Sequence, residues 1–143
     1  MSFTATLNIS ATSEDVLSIL VDIPTLARWN PAFGTISSAE SRAIIGKEYH
    51  TRIRSIVAAT IVFEKIENGR VEYQIDALGS SEFGTWAWAE STPNRTTVSH
   101  SFEHDGFLIN LISRAFEQAP SWRIARLGSE ALRRREKTMS RPE

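Results

Sequence analysis

The sequence predicts an α+β fold in which a curved antiparallel sheet of about seven strands grips a long C-terminal helix, with two short helices between the first and second strands. Three observations predict it. Apolar and polar residues alternate with period two at the start of the chain and again from residue 35 to 103. Turn residues punctuate that second stretch at short intervals. After Asp105-Gly106 the apolar spacing changes to that of a helix.

Phe3, Ala5, Leu7 and Ile9 alternate with Thr4, Thr6 and Asn8, which places a half-buried strand over residues 2 to 10. Thr12 and Ser13 then offer N-cap oxygens, Asp15 supplies an acidic first turn, and Val16, Ile19 and Leu20 recur at helical spacing. Pro24 starts a second short helix carrying Leu26, Arg28 and Trp29. Asn30-Pro31 stops it, because a residue before proline avoids the α region.

Further strands are expected at 35–39, 47–55, 58–66, 70–77, 83–90 and 95–103. Glu67-Asn68-Gly69 and Thr92-Pro93-Asn94 read as hairpins, and Leu78-Gly79-Ser80-Ser81 as a loop. Leu108, Leu111, Ile112, Ala115, Phe116 and Ala119 then share one helical face. Pro120 is expected to interrupt or kink that helix, and Leu127, Ala131 and Leu132 continue its stripe. A sheet with one apolar face needs a cover, and this helix is the large apolar partner available. The helix starting near residue 107 and the first strand are expected on opposite sides of a hollow.

A chain of 143 residues suits a single domain over 1–143, and 41% hydrophobic with 23% charged residues is globular composition. A net charge of −1 predicts no general attraction to nucleic acid or anionic membranes. Zero cysteines exclude disulfides, thiolate metal sites and cysteine nucleophiles. The opening Met1-Ser2-Phe3-Thr4-Ala5 has no leader character and no stretch has the length of a membrane span, so the expectation is a cytoplasmic protein without membrane insertion, a monomer or weak homodimer.

The order of elements, with Ile9-Ser10-Ala11-Thr12-Ser13-Glu14-Asp15-Val16 leading to Asp22 and Trp29-Asn30-Pro31, resembles the SRPBCC superfamily, also called START-like or helix-grip proteins. Gly46 before a strand, Trp86-Ala87-Trp88, Thr97-Val98-Ser99-His100 and Gly106 before the last helix add to the resemblance, which spans nearly the whole chain. It implies a helix-grip fold with a small-molecule cavity between sheet and helix. Members of similar size include polyketide cyclase or dehydrase-like proteins, plant ligand carriers and lipid-transfer domains, and the fold does not choose among them.

Anchoring each strand on its bulkiest apolar set faces Tyr49, Thr51 and Ile53 inward, with Ile61 and Phe63, Val71, Tyr73 and Ile75, Gly84, Trp86 and Trp88, and Val98, His100 and Phe102. Phe83 falls on the other face and suggests a bulge near Gly84. Trp29 and Phe33 would close one end, and Leu111, Ile112, Ala115 and Phe116 would form the helical wall. The ligand-lining set is thus Trp29, Phe33, Tyr49, Ile53, Phe63, Tyr73, Trp86, Trp88, His100, Phe102, Leu111, Ile112 and Phe116. Rings of this kind serve core packing equally well, but hydroxyls and an imidazole on the same face suit a small-molecule site.

His100 reads either as a satisfied core histidine or as a group that orients a ligand or moves a proton. His100 and His104 lie too far apart along a strand to share a metal, so no metal is expected. Glu90 reads as a rim acid or as a solvated carboxylate. No Gly-x-Ser-x-Gly, Gly-x-Gly-x-x-Gly or P-loop pattern is present, so no cofactor is expected. Seven basic and three acidic residues over 121–143 give +4 there and −5 elsewhere, a solvated helix end or a docking surface. Three functions remain open: a carrier of a small hydrophobic or amphipathic, lipid-like molecule; a cyclase or dehydratase using His100 with Tyr49 or Tyr73; and a protein-interaction module.

Overall fold

The computed structural model describes residues 2–30, 34, 36, 40–53, 57–106 and 119–139. Its elements are β1 (Ser2–Ile9), α1 (Ser13–Leu20), a 3-10 turn (Ile23–Thr25), α2 (Leu26–Trp29), β2 (Glu48–Ile53), β3 (Val57–Glu67), β4 (Arg70–Ala77), β5 (Ser80–Thr92), β6 (Arg95–Asp105) and α3 (Ala119–Met139). The strands form one curved antiparallel sheet in the order β1-β6-β5-β4-β3-β2. Strands β2 to β6 are a meander, and β1 adds at the β6 edge with Leu7 opposite Val98 and Ala5 opposite His100. The α1–α2 segment carries the chain from one edge of the sheet to the other.

Thr12 caps α1 through a reciprocal box. Its hydroxyl accepts the Asp15 N–H at 3.1 Å and the Asp15 carboxylate accepts the Thr12 N–H at 3.2 Å. Val16, Ile19 and Leu20 on the other side of the helix are buried. The 3-10 turn and α2 add Ile23, Leu26 and Trp29 to the same core, which lies between the helices and the inner face of the sheet.

Six strands are described rather than seven. Of the expected strand 35–39, Ile36 lies outside any strand, and 35 and 37–39 lie outside the described residues. The backbone around it bonds to separate elements in turn: Gly34 N–H to Arg52, Ala43 N–H to Val21, Gly46 N–H to Phe63. Bonds scattered over three partners build no ladder.

The inner-face parity holds wherever side chains are described. Tyr49, Thr51, Ile61, Phe63, Val71, Tyr73, Ile75, Trp86, Trp88, Val98, His100 and Phe102 are buried, whereas His50, Arg52, Glu64 and Asp76 are exposed. The bulge expected near Gly84 is absent, since β5 pairs with β4 without a register shift from Ser80 to Ala87. Phe83 simply points outward, 44% exposed. Gly84 has a different role: a Cβ there would lie 2.1 Å from Cζ of Tyr73, so the glycine leaves room for the tyrosine ring.

Residues 78–81 are not an open loop. Leu78 and Gly79, with φ of 48° and 75°, make a two-residue turn and Ser80 already begins β5. Positive φ at both central positions matches the twist of the flanking strands, and Gly79 adopts it without steric cost.

The described helix α3 has Pro120 as its second residue. The residues that precede Ala119, whose backbone decides whether Pro120 interrupts or kinks the helix, lie outside the described residues. Residues 107–118, including Leu108, Leu111, Ile112, Ala115 and Phe116, lie outside the described residues. Over its described length α3 does not face β1 across a hollow. Gly128 brings the two together, with the position of its absent Cβ 3.7 Å from side-chain carbons of both Leu7 and Ile9.

Trp88 ties these layers together. It is 6% exposed, and its indole N–H donates to the Ser13 hydroxyl at 2.8 Å, fastening the start of α1 to β5. Trp88→Ala is expected to lower stability by about 3–5 kcal/mol, measured by urea unfolding, because the lost ring leaves a cavity and removes the indole bond to Ser13. A change under about 1 kcal/mol would place this ring outside the core.

Candidate functional site

The inner face carries a charged cluster as well as apolar rings. Glu82 and Arg123 are both buried and form a two-pronged ion pair, Nη1 to Oε2 at 2.8 Å and Nη2 to Oε1 at 3.2 Å. Tyr73 donates its hydroxyl to Glu82 at 2.7 Å and accepts from Arg123 at 3.2 Å. His104 donates from Nε2 to the other carboxylate oxygen at 2.8 Å. The Arg123 guanidinium also lies 4.5 Å from the centre of the Phe102 ring.

These neighbours set the protonation states. Burial alone would raise the Glu82 carboxyl, but the Arg123 charge and bonds from His104, Arg123 and Tyr73 outweigh it and hold the group well below the usual carboxylate range. Burial, reinforced by the Glu82 charge, pushes the Tyr73 hydroxyl well above its ordinary value. Glu82 is therefore a carboxylate, and Tyr73 remains a neutral phenol.

His100 is fully buried and stacks on Trp86, centroids 3.7 Å apart at 12°. Its Nδ1 lies 3.1 Å from the Thr85 carbonyl, which can only accept, so Nδ1 carries the proton and Nε2 turns its lone pair to Arg123 at 3.4 Å. Burial first, then the Arg123 charge, lowers its pKa to about 3.

A second part of the inner face borders empty space. A cavity of about 10 Å³ lies under α1 and α2, lined by Leu20, Leu26, Trp29, Asn30, Ile61, Phe63, Tyr73 and Trp86. Trp29 meets Trp86 edge to face, centroids 5.8 Å apart at 72°.

Of the residues expected to line a ligand site, Trp29, Phe63, Tyr73 and Trp86 come together around this cavity. Tyr49, Trp88, His100 and Phe102 are buried but packed elsewhere, the Tyr49 hydroxyl accepting the Ile44 N–H at 2.9 Å. Ile53 ends β2 and its side chain, with Phe33, Leu111, Ile112 and Phe116, lies outside the described residues. Glu90 is neither a rim acid nor merely solvated, for its carboxylate accepts the Ser13 N–H at 2.8 Å at the N-terminus of α1.

Glu82 and Arg123 were not expected inside, yet both carried a signal. Glu82 shares the parity of Gly84, Trp86 and Trp88, and a strand begun at 83 leaves it out. Arg123 stands four residues before Leu127 and eight before Ala131, on the buried stripe of α3. The basic segment is only partly a solvated face. Besides Arg123, Arg134 binds Asp22 and Thr25, each at 2.9 Å, and joins Arg28 and Arg133 on the buried carboxylate of Glu130. Burial opposes ionisation of Glu130, but the bonds from Arg133, Arg28 and Arg134 prevail and lower its pKa to about 2.

Arg123→Met is expected to lower stability by about 3–5 kcal/mol, because it strands a buried carboxylate. Adding Glu82→Gln should recover part of that loss in a double-mutant cycle read by urea unfolding; strictly additive losses would mean that the two groups do not interact. His100 adds a pH term. Below its ordinary value of 6.5 the unfolded chain takes up a proton that the folded chain refuses until about pH 3. Stability should therefore fall as pH drops through that window, by at most about 1.4 kcal/mol per unit from this group, and His100→Gln should flatten the slope measured between pH 4 and 6.

A family model described as polyketide cyclase / dehydrase and lipid transport matches residues 1–139. Among curated proteins no sequence matches the chain. Solved structures share its fold at low identity. A START superfamily protein from Mycobacterium smegmatis superposes with a TM-score of 0.75 at 9% identity, over 92% of this chain and 97% of that one. A conserved protein from Geobacillus kaustophilus gives 0.72 at 10%, over 93% and 96%. DynU16, described as a protein of the dynemicin biosynthetic locus, gives 0.67 at 15%, over 90% of this chain and 46% of that one.

Proposed function

The chain belongs to the polyketide cyclase / dehydrase and lipid transport family, and from that premise we propose that it is a binding protein for a small hydrophobic or amphipathic molecule held between the sheet and the helices. Residues 1–143 act in this reading as one ligand-binding domain. The observation that carries it is the cavity under α1 and α2, where four aromatic side chains from three different parts of the chain, α2, the β3–β4 hairpin and β5, leave space unfilled. At about 10 Å³ the cavity has room for one water molecule. A larger guest enters only by parting its walls, and the short α2 is the wall with the fewest backbone bonds to lose.

The titratable groups support a carrier over a cyclase or dehydratase. A general acid or base works best with a pKa near the operating pH. His100 is held neutral down to about pH 3, Glu82 is held ionised by Arg123, and Tyr73 is held protonated. These groups are bonded to one another and to the backbone, so proton transfer to a guest would first have to break the network. The basic end of α3 gives little support to an interaction module, since Arg123 and Arg134 are engaged within the chain.

Native mass spectrometry of the freshly purified protein is expected to show a single small apolar adduct that organic solvent removes. Titration of the emptied protein with the neutral probe N-phenyl-1-naphthylamine should then quench tryptophan fluorescence saturably near one equivalent. An adduct-free mass together with flat fluorescence would count against the carrier reading.

A further inference from the structure

Trp29 stands out among the buried polar groups. It is 3% exposed, and its indole N–H has no hydrogen-bond partner among the described residues. Indole nitrogen is a donor only; it cannot accept and does not ionise, so no change of protonation relieves the position. Leaving such a donor unpaired in the interior is unfavourable, and a phenylalanine would fill the same apolar space without that penalty. Trp88, also buried, has its N–H on Ser13. The described polar neighbours at the cavity give Trp29 no relief, since the Tyr73 hydroxyl donates to Glu82 and accepts from Arg123, and the buried Asn30 amide does not accept from this indole.

We infer that the Trp29 indole N–H is the specificity-determining donor of the cavity, and that the guest is a neutral molecule presenting a carbonyl or ether oxygen to it from an apolar skeleton. This rests on the reading that the cavity holds a guest. The oxygen follows from the donor-only chemistry of indole. Neutrality follows from the lining, which among the described residues contains no cationic side chain to balance a carboxylate or phosphate. The apolar skeleton follows from the aliphatic and aromatic walls.

Two fragments of equal shape test the inference, cyclohexanone and methylenecyclohexane, which differ in whether the exocyclic atom accepts a hydrogen bond. Each is titrated at millimolar concentration into the ¹⁵N-labelled full chain while the indole N–H resonances are followed. Both fragments are expected to shift core resonances, and the ketone alone should move the Trp29 indole signal. Trp29→Phe is expected to weaken ketone binding by about 3–10-fold relative to its effect on the alkene, a double ratio that cancels the ketone's better hydration.

Binding of both fragments with an unmoved Trp29 signal and no such ratio would overturn the donor assignment and leave the cavity reading standing. Binding of neither would overturn both. Should Trp29→Phe fail to fold, the signal is assigned through the contact of Trp29 with the Trp86 ring, and the wild-type shifts decide.

Discussion

The buried pair of Glu82 and Arg123 is the constraint on which the rest of the arrangement depends. Removing two full charges from water costs several kcal/mol each, and attraction offsets this only with good geometry and with the remaining lone pairs and protons satisfied. Here the pair is two-pronged, and Tyr73, His104 and the Phe102 ring complete its surroundings. The two charges sit on different layers, β5 and α3. A helix held only by apolar contacts could slide or rotate at little cost, whereas one step in register would separate this pair, so the pair fixes where α3 lies on the sheet.

That demand spreads outward. Tyr73 must bring its hydroxyl to Glu82, and its ring then occupies the space over Gly84, where any Cβ would collide with it. His100, buried beside a guanidinium, remains neutral and settles its own N–H on the Thr85 carbonyl. Residues whose chemistry suits catalysis are in this way absorbed into holding the helix. The cavity under α1 and α2 adjoins this network, with Tyr73 and Trp86 on its wall, and the rest of its described lining is mostly apolar.

A second clamp acts nearer the C-terminal end of α3. Glu130 gathers Arg28, Arg133 and Arg134, and Arg134 continues to Asp22 and Thr25 around the 3-10 turn. The described helix is thus tied by charge at two places, to β5 at Arg123 and to the α1–α2 segment at Glu130 and Arg134. Between them Gly128 allows the helix to pack closely on Leu7 and Ile9 of β1. Of the basic residues described in this segment, Arg123 and Arg134 fasten the helix to other elements, while Arg126, Arg133, Arg135 and Lys137 are exposed.

Much of this was legible in the sequence. Alternation along β2 to β6 assigned the inner face correctly from Tyr49 to Phe102, because a period of two leaves a single choice of face once one bulky residue is anchored. Thr12 and Asp15 announced the start of α1, since a cap depends on residues three apart. What only the tertiary structure decided are relations between distant positions. Glu82 and Arg123 lie 41 residues apart, and parity marks each as inward without saying that they meet. Periodicity likewise cannot tell an inward ring that fills the core, such as Trp88, from one that borders a void, such as Trp29. Whether space remains depends on the summed volumes and orientations of side chains from several elements, and no local pattern in the chain encodes that sum.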